Sequence, residues 1–216
     1  MAVKTALFTL ERSYRRIVKY ESDANSFKTK LDAMESTKPK IKLKEPGAIY
    51  TEPIVQSFRG TSGQLFKQRV DTFLKVRFIN DPQLSVPSSK ATGVIATIDY
   101  HRCSDGEHLL SLDGRWSEST QPSAISPLES TVHLLSADFS QGQQRSLDIA
   151  FCDGETGKCY AWNNDNYKAA NQLFVYPPHL LTGDTFKVTI RLRGNSVDER
   201  FEFTFNITSD KGFKIE

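Results

Sequence analysis

From Val3 to Met34 the chain contains no Gly or Pro, and its apolar residues return every three or four positions. Val3, Leu7, Leu10, Tyr14, Ile17, Ala24 and Leu31 therefore fall along one stripe of an α-helix. One heptad position runs Val3, Leu10, Ile17, Ala24, Leu31. The position four residues on runs Leu7, Tyr14, Glu21, Lys28, Glu35 and turns polar halfway, and Phe27 and Met34 fall one residue off it. The pattern predicts a single helix over at least 5–30. Its first half is a packing face for its own domain or for a second copy, and its second half is a poor coiled-coil seam. Pro39 supplies the stop, because a residue before proline is pushed out of the α region.

Beyond Pro39 the period changes to two. Ile41 and Leu43 alternate with Lys40, Lys42 and Lys44, which predicts a short edge strand with lysines outward. Pro46, Gly47 and Pro53 break the next stretch into turns or edge segments. From Gln64 onward the signal is β throughout. Val70, Thr72, Leu74, Val76 and Phe78 alternate with Asp71, Lys75 and Arg77, and Val94, Ala96, Ile98 and Tyr100 repeat the pattern. Shorter runs follow at 108–116, 132–139 and 147–152. Last come Phe186, Val188, Ile190 and Leu192, then Gly194-Asn195-Ser196, then Phe201, Phe203, Phe205 and Ile207. Two alternating runs about a Gly-Asn turn predict an antiparallel hairpin over 183–193 and 199–208. Phe186, Val188, Ile190, Phe201, Phe203 and Phe205 face inward, and Arg191 or Arg193 pairs across the strands with Glu199 or Glu202.

Seven or more short strands with no helical pattern between them indicate a mainly β chain, an immunoglobulin-like antiparallel β-sandwich preceded by one long N-terminal α-helix. The expected organisation is 1–38 as a docking or oligomerising helix, 39–63 as a connecting edge strand and turns, and 64–216 as the sandwich. The Ser/Pro-rich stretch 117–130 is expected to be a loop.

Charge adds an asymmetry. The 216 residues carry a net charge of +2, yet residues 1–44 hold 11 basic and 5 acidic side chains, leaving the remainder net acidic. The near-neutral total and the acidic residues scattered through the helix (Glu11, Glu21, Asp23) argue against a specific nucleic-acid partner. No apolar run reaches the ~20 residues of a membrane span, and the segment Thr5–Leu10 is too short for a secretory signal. With three cysteines, these features lead to the expectation of a cytoplasmic protein with reduced thiols.

Three stretches of text carry a resemblance: Gly114-Arg115-Trp116, Leu147-Asp148-Ile149-Ala150, and Gly183-Asp184-Thr185-Phe186 running through Gly194-Asn195 to Phe205. In these, residues 70–208 resemble the C-terminal immunoglobulin-like domains that uncharacterised, often membrane-associated prokaryotic proteins carry behind a helical segment. The chain departs from them in lacking a membrane span and in the stretch 152–176. The resemblance implies a fold and no activity.

Candidate chemistry is sparse. The Gly-rich segment between Cys152 and Cys159 reads as a hairpin loop that sets the two thiols opposite each other, expected unbonded. A cross-strand disulfide, or zinc with Cys103 or His101, are the alternatives. A calcium loop from Asp153, Glu155 and Asp165 lacks EF-hand spacing. No catalytic spacing is visible, so no catalytic residue, metal ligand or cofactor is assigned. A Cys103–His133 pair assembled in space is the weakest option. The one stretch with binding chemistry is Tyr160, Trp162, Asn163, Asn164, Asp165 and Tyr167, where aromatic faces interleave with amides and a carboxylate. The leading expectation is a non-enzymatic binding or protein-interaction module, with a protein partner or self-association through the helix. A carbohydrate- or peptide-binding accessory domain using 159–167 is the alternative, and a small hydrolase comes last.

Overall fold

The computed structural model describes residues 2–59, 63–84, 86, 89–119, 135–167, 174–209 and 212–216, with the side chains of the N-terminal helix described from residue 13 on. The expected loop beyond residue 119, His133, and the side chains of Leu7 and Leu10 therefore lie outside the described residues.

Helix α1 (Ala2–Thr37) is one uninterrupted element of 36 residues, about 54 Å long at 1.5 Å per residue. Its last turn is rooted in the sandwich. The Ser36 carbonyl accepts the Leu84 N–H at 2.9 Å and the Thr37 carbonyl accepts the Ser89 hydroxyl at 2.7 Å. Beside this root, the fully buried Asn80 side chain donates to the carbonyls of Ser89 and Phe139 and accepts the Lys40 N–H. The bonds to Ser36 and Thr37 satisfy carbonyls that a helix end leaves without partners.

Among the described residues twelve strands follow in two antiparallel sheets, the predicted sandwich. In the first, β3 (Leu65–Asn80) and β8 (Gln144–Cys152) run side by side. β1 (Ile41–Leu43) and β2 (Ile49–Arg59) line the free side of β3, so Pro53 does sit in an edge strand. β6 (Arg115–Trp116) and β9 (Cys159–Ala161) line the free side of β8. The second sheet runs β12 (Phe213–Ile215), β11 (Val197–Ile207), β10 (Thr185–Asn195), β4 (Ala91–Arg102), and then β5 (His108–Asp113) and β7 (Ser136–Phe139) along the far side of β4.

The core lies between the sheets, where Leu74, Val76 and Phe78 meet Ile98, Tyr100, Phe186, Val188 and Ile190. Trp116 anchors one end of it. Its indole N–H donates to the Val94 carbonyl at 3.1 Å, and its ring lies edge-on to Phe78 and Phe139. The preceding Gly114 is required by space, because a Cβ there would stand 2.8 Å from the Ala96 Cβ.

The terminal hairpin has the predicted register, with Phe186 opposite Phe205, Val188 opposite Phe203 and Ile190 opposite Phe201. Phe186, Val188, Ile190 and Phe205 are fully buried. Phe201 and Phe203 are only half-buried, since β12 flanks the strand from Phe205 onward and leaves them nearer an open edge. The tight turn places Ser196 at φ 59°. The outer ion pairs differ from expectation. Arg191 faces Arg200 in register, so it reaches diagonally to Asp198 at 2.9 Å, and Glu202 takes Lys187 at 2.7 Å. Glu199 stands opposite Leu192, turned to the inner side of the hairpin, and is not one of these partners.

Candidate functional site

Alternation along β3 leaves Arg69, Asp71, Phe73, Lys75 and Arg77 on the outer face of the first sheet, where the sequence pattern suggests water. Most of that face is covered. Segments 153–167 and 174–181 fold across it, so Arg69, Asp71, Phe73 and Lys75 are buried. A bulge in β8 adds to the same face. Leu74 pairs with Ala150 while Lys75 pairs with Asp148, which leaves Ile149 extra and turns both Asp148 and Phe151 outward. The carbonyl of Ile149 accepts the Tyr100 hydroxyl at 2.7 Å and the Trp162 N–H at 2.9 Å.

The candidate binding residues fall into this cover. Tyr160 and Trp162 are buried with Phe73 and Phe151 in a second aromatic cluster. Trp162 stands edge-on to Phe73 at 5.1 Å and to Phe151 at 4.9 Å, and Tyr167 packs on its far side at 5.5 Å. The amides are engaged locally. Asn163 accepts the Asp165 N–H, Asn166 accepts the Asn163 N–H and meets the buried His179 at 3.1 Å, and Asn164 accepts Arg115 Nη1 at 2.7 Å. The Arg115 guanidinium also lies over the Tyr167 ring. Burial pushes the Tyr160 and Tyr167 phenols above their usual range. The structure thus brings the six residues together as packing, with Asn164, Asp165 and Tyr167 half-exposed at its rim.

Two buried ionic groups that the alternation does not reveal flank the cluster. Arg69 pairs with Asp71, donating Nη2 to Oδ2 at 2.8 Å with Nε 2.7 Å from Oδ1, and it donates Nη1 to Asp153 at 2.9 Å. Desolvation raises the Asp71 carboxyl, while Arg69 and the Gly154 N–H pull it back. On the other flank Lys75 lies 2.7 Å from Glu52 and 3.6 Å from Asp148. Burial raises the Asp148 carboxyl against the pull of Lys75 and the Ser117 hydroxyl. Burial also works to lower the Lys75 ammonium, yet Asp148 and Glu52 hold it above its ordinary value.

The cysteines require a correction. Cys152 and Cys159 are joined by a disulfide, where unbonded thiols are expected from the sequence. They face each other across β8 and β9 with Cα atoms 4.0 Å apart. The next pair along is bonded through its backbone, Asp153 N–H to the Lys158 carbonyl, so Cys152 and Cys159 occupy the narrow position between backbone bonds. The turn is further held by Asp153, whose Oδ1 accepts the Glu155 and Thr156 N–H groups. Gly154 passes so close to β3 that a Cβ would overlap the Val70 carbonyl oxygen at 1.8 Å. Cys103 is an exposed free thiol.

The outer face of the second sheet is open. Thr97, Asp99, His101, Thr189, Arg191 and Arg193 help to line a shallow hollow of about 550 Å³. At its edge Ser111 donates to Asp99 at 2.5 Å and lies 2.9 Å from His108 Nε2. With its proton committed to the carboxylate, this serine is not set up as a nucleophile activated by the imidazole. Among the described residues no three His, Cys, Asp or Glu side chains are grouped to hold a metal ion.

The remaining feature is α1. Every residue from Ser13 to Glu35 is exposed, including Tyr14, Ile17, Tyr20, Phe27, Leu31 and Met34, which keep 55–71% of their surface in contact with water. Among the described residues no helix is long and apolar enough to cross a membrane. Comparison with protein-family models, curated proteins and solved structures returned no match to this chain.

Proposed function

We propose that this protein is a non-enzymatic interaction module, an immunoglobulin-like sandwich that carries a helix built to dock on a protein partner. One observation carries the reading: among the described residues seven large apolar side chains lie exposed on a helix whose C-terminal turn is fixed to the sandwich. Contiguous apolar surface of this kind marks an interaction site, and a helix without tertiary packing is marginal in water. The polar-ligand reading of 159–167 has less support, since its aromatics and amides are spent on one another. The Cys152–Cys159 bond favours an oxidising setting over the cytoplasm expected from the sequence. A native thiol titration decides this, with one reactive thiol (Cys103) expected per chain isolated from its own cell.

The docking reading is tested by amide hydrogen exchange on the chain diluted to monomer. Unpartnered α1 amides should exchange at close to free-peptide rates while β3, β4, β8 and β10 stay protected. Strong protection of residues 13–35 in the monomer would mean the helix needs no partner, and the reading would fail.

A further inference from the structure

The apolar residues of α1 define a seam when the second heptad position is taken three residues after the first rather than four. With Val3, Leu10, Ile17, Ala24 and Leu31 at a, the d positions are Ala6, Ser13, Tyr20, Phe27 and Met34. Nine of these ten residues are apolar, Ser13 being the exception, and the pattern spans one helix to Met34, beyond the three to four heptads that a coiled coil requires. Phe27 and Met34, off register by the four-residue count, become core residues.

The flanking charges identify the occupant. In a parallel, in-register pair each g residue faces the e residue five positions on in the other helix. Here g runs Arg16, Asp23, Lys30 and e runs Glu21, Lys28, Glu35. Arg16 meets Glu21, Asp23 meets Lys28 and Lys30 meets Glu35, so all three contacts are attractive and each recurs by symmetry. A sequence that complements itself across both flanks is complementary to its own copy. We infer that α1 pairs with α1 of a second copy as a parallel two-stranded coiled coil, presenting two sandwiches at the C-terminal end of a stalk about 54 Å long. The root at Ser36 and Thr37 keeps both sandwiches on the same end. This inference rests on the docking reading and names its partner.

The test uses the full chain. Sedimentation equilibrium from micromolar to submillimolar concentration should approach twice the 24.4 kDa chain mass. With Cys103→Ser removing the free thiol, Ala24→Cys places the introduced thiols at a facing pair of a positions, and mild oxidation should cross-link them. Asp23→Lys turns two attractive contacts repulsive and should weaken the dimer about 5- to 30-fold, with Lys28→Asp in the same chain restoring it. A monomer mass at every concentration overturns self-pairing, a trimer mass overturns the two-stranded form, and a dimer that fails to cross-link overturns the parallel register. The docking reading is read out separately. A monomer whose α1 amides exchange freely still needs another partner, whereas a monomer with protected α1 amides defeats both.

Discussion

Arg69 offers a sharp test of how the outer face of the first sheet is held together. Its guanidinium is 4% exposed and bridges two carboxylates, Asp71 at 1% and Asp153 at 2%. Arg69→Met keeps much of the aliphatic stem and removes the charge. It leaves two desolvated carboxylates with their shared cation gone, a change that costs about 3–5 kcal/mol in buried pairs, against about 0–1 kcal/mol for an exposed one. Urea denaturation followed by tryptophan fluorescence reports on it, because Trp162 and Trp116 are both buried. The pH dependence gives a second reading. The Asp71 carboxyl is raised by burial above its ordinary value of 3.8. A raised carboxyl binds its proton more tightly in the folded chain, so its contribution to stability grows as pH falls through the folded pKa and is complete below the unfolded one. Losing Arg69 removes a group that pulls that pKa back, so the deficit of the variant should shrink as pH falls from neutral. Asp71→Asn with Asp153→Asn in the Arg69→Met background should recover most of the loss at neutral pH. A deficit below about 1 kcal/mol, or one unchanged by pH and by the asparagines, would show that Arg69 acts only through its packed stem.

The Cys152–Cys159 bond closes a loop with a sequence separation of 7, for which chain entropy gives about 2–3 kcal/mol, so denaturation with and without reductant should differ by that amount and leave the native sheets intact. Gly154→Ala drives a methyl into the Val70 carbonyl and should cost about 1–3 kcal/mol, with Gly212→Ala, where the nearest atom to a Cβ is 3.4 Å away, as the control; equal costs would refute the close approach. Tyr100→Phe removes the hydroxyl that ties β4 to the β8 bulge and should lower stability by about 1–1.5 kcal/mol, read as a shift in the urea midpoint at unchanged slope.

The elements legible in the chain are those whose local signal and tertiary environment agree. The run 2–37 holds no Gly or Pro and forms one helix, and the period-2 runs of β4, β10 and β11 each have one core face, so alternation reports burial directly and fixes the hairpin register. The edge character of Ile41–Leu43 was equally legible, since outward lysines mark a strand side that meets water.

Tertiary structure alone decided the outer face of the first sheet. Alternation divides a strand into two faces but does not say whether the second is covered, and on β3 the polar-looking positions 69, 71 and 75 are buried beneath 153–167 and 174–181. The bulge at Ile149, which reverses the alternation of β8, and the clamp from Arg69 to Asp71 and Asp153 join residues up to 84 positions apart, beyond the reach of any local pattern. Cys152 and Cys159 were legible as facing residues, yet their bond depended on falling at the narrow, non-hydrogen-bonded position of the ladder, which is a matter of register. The aromatic-amide run 159–167 has the composition of a binding loop because burying aromatics against a sheet and satisfying a turn demand the same residue types as holding a polar ligand. Only the packed structure shows that Trp162 and the asparagines are already occupied.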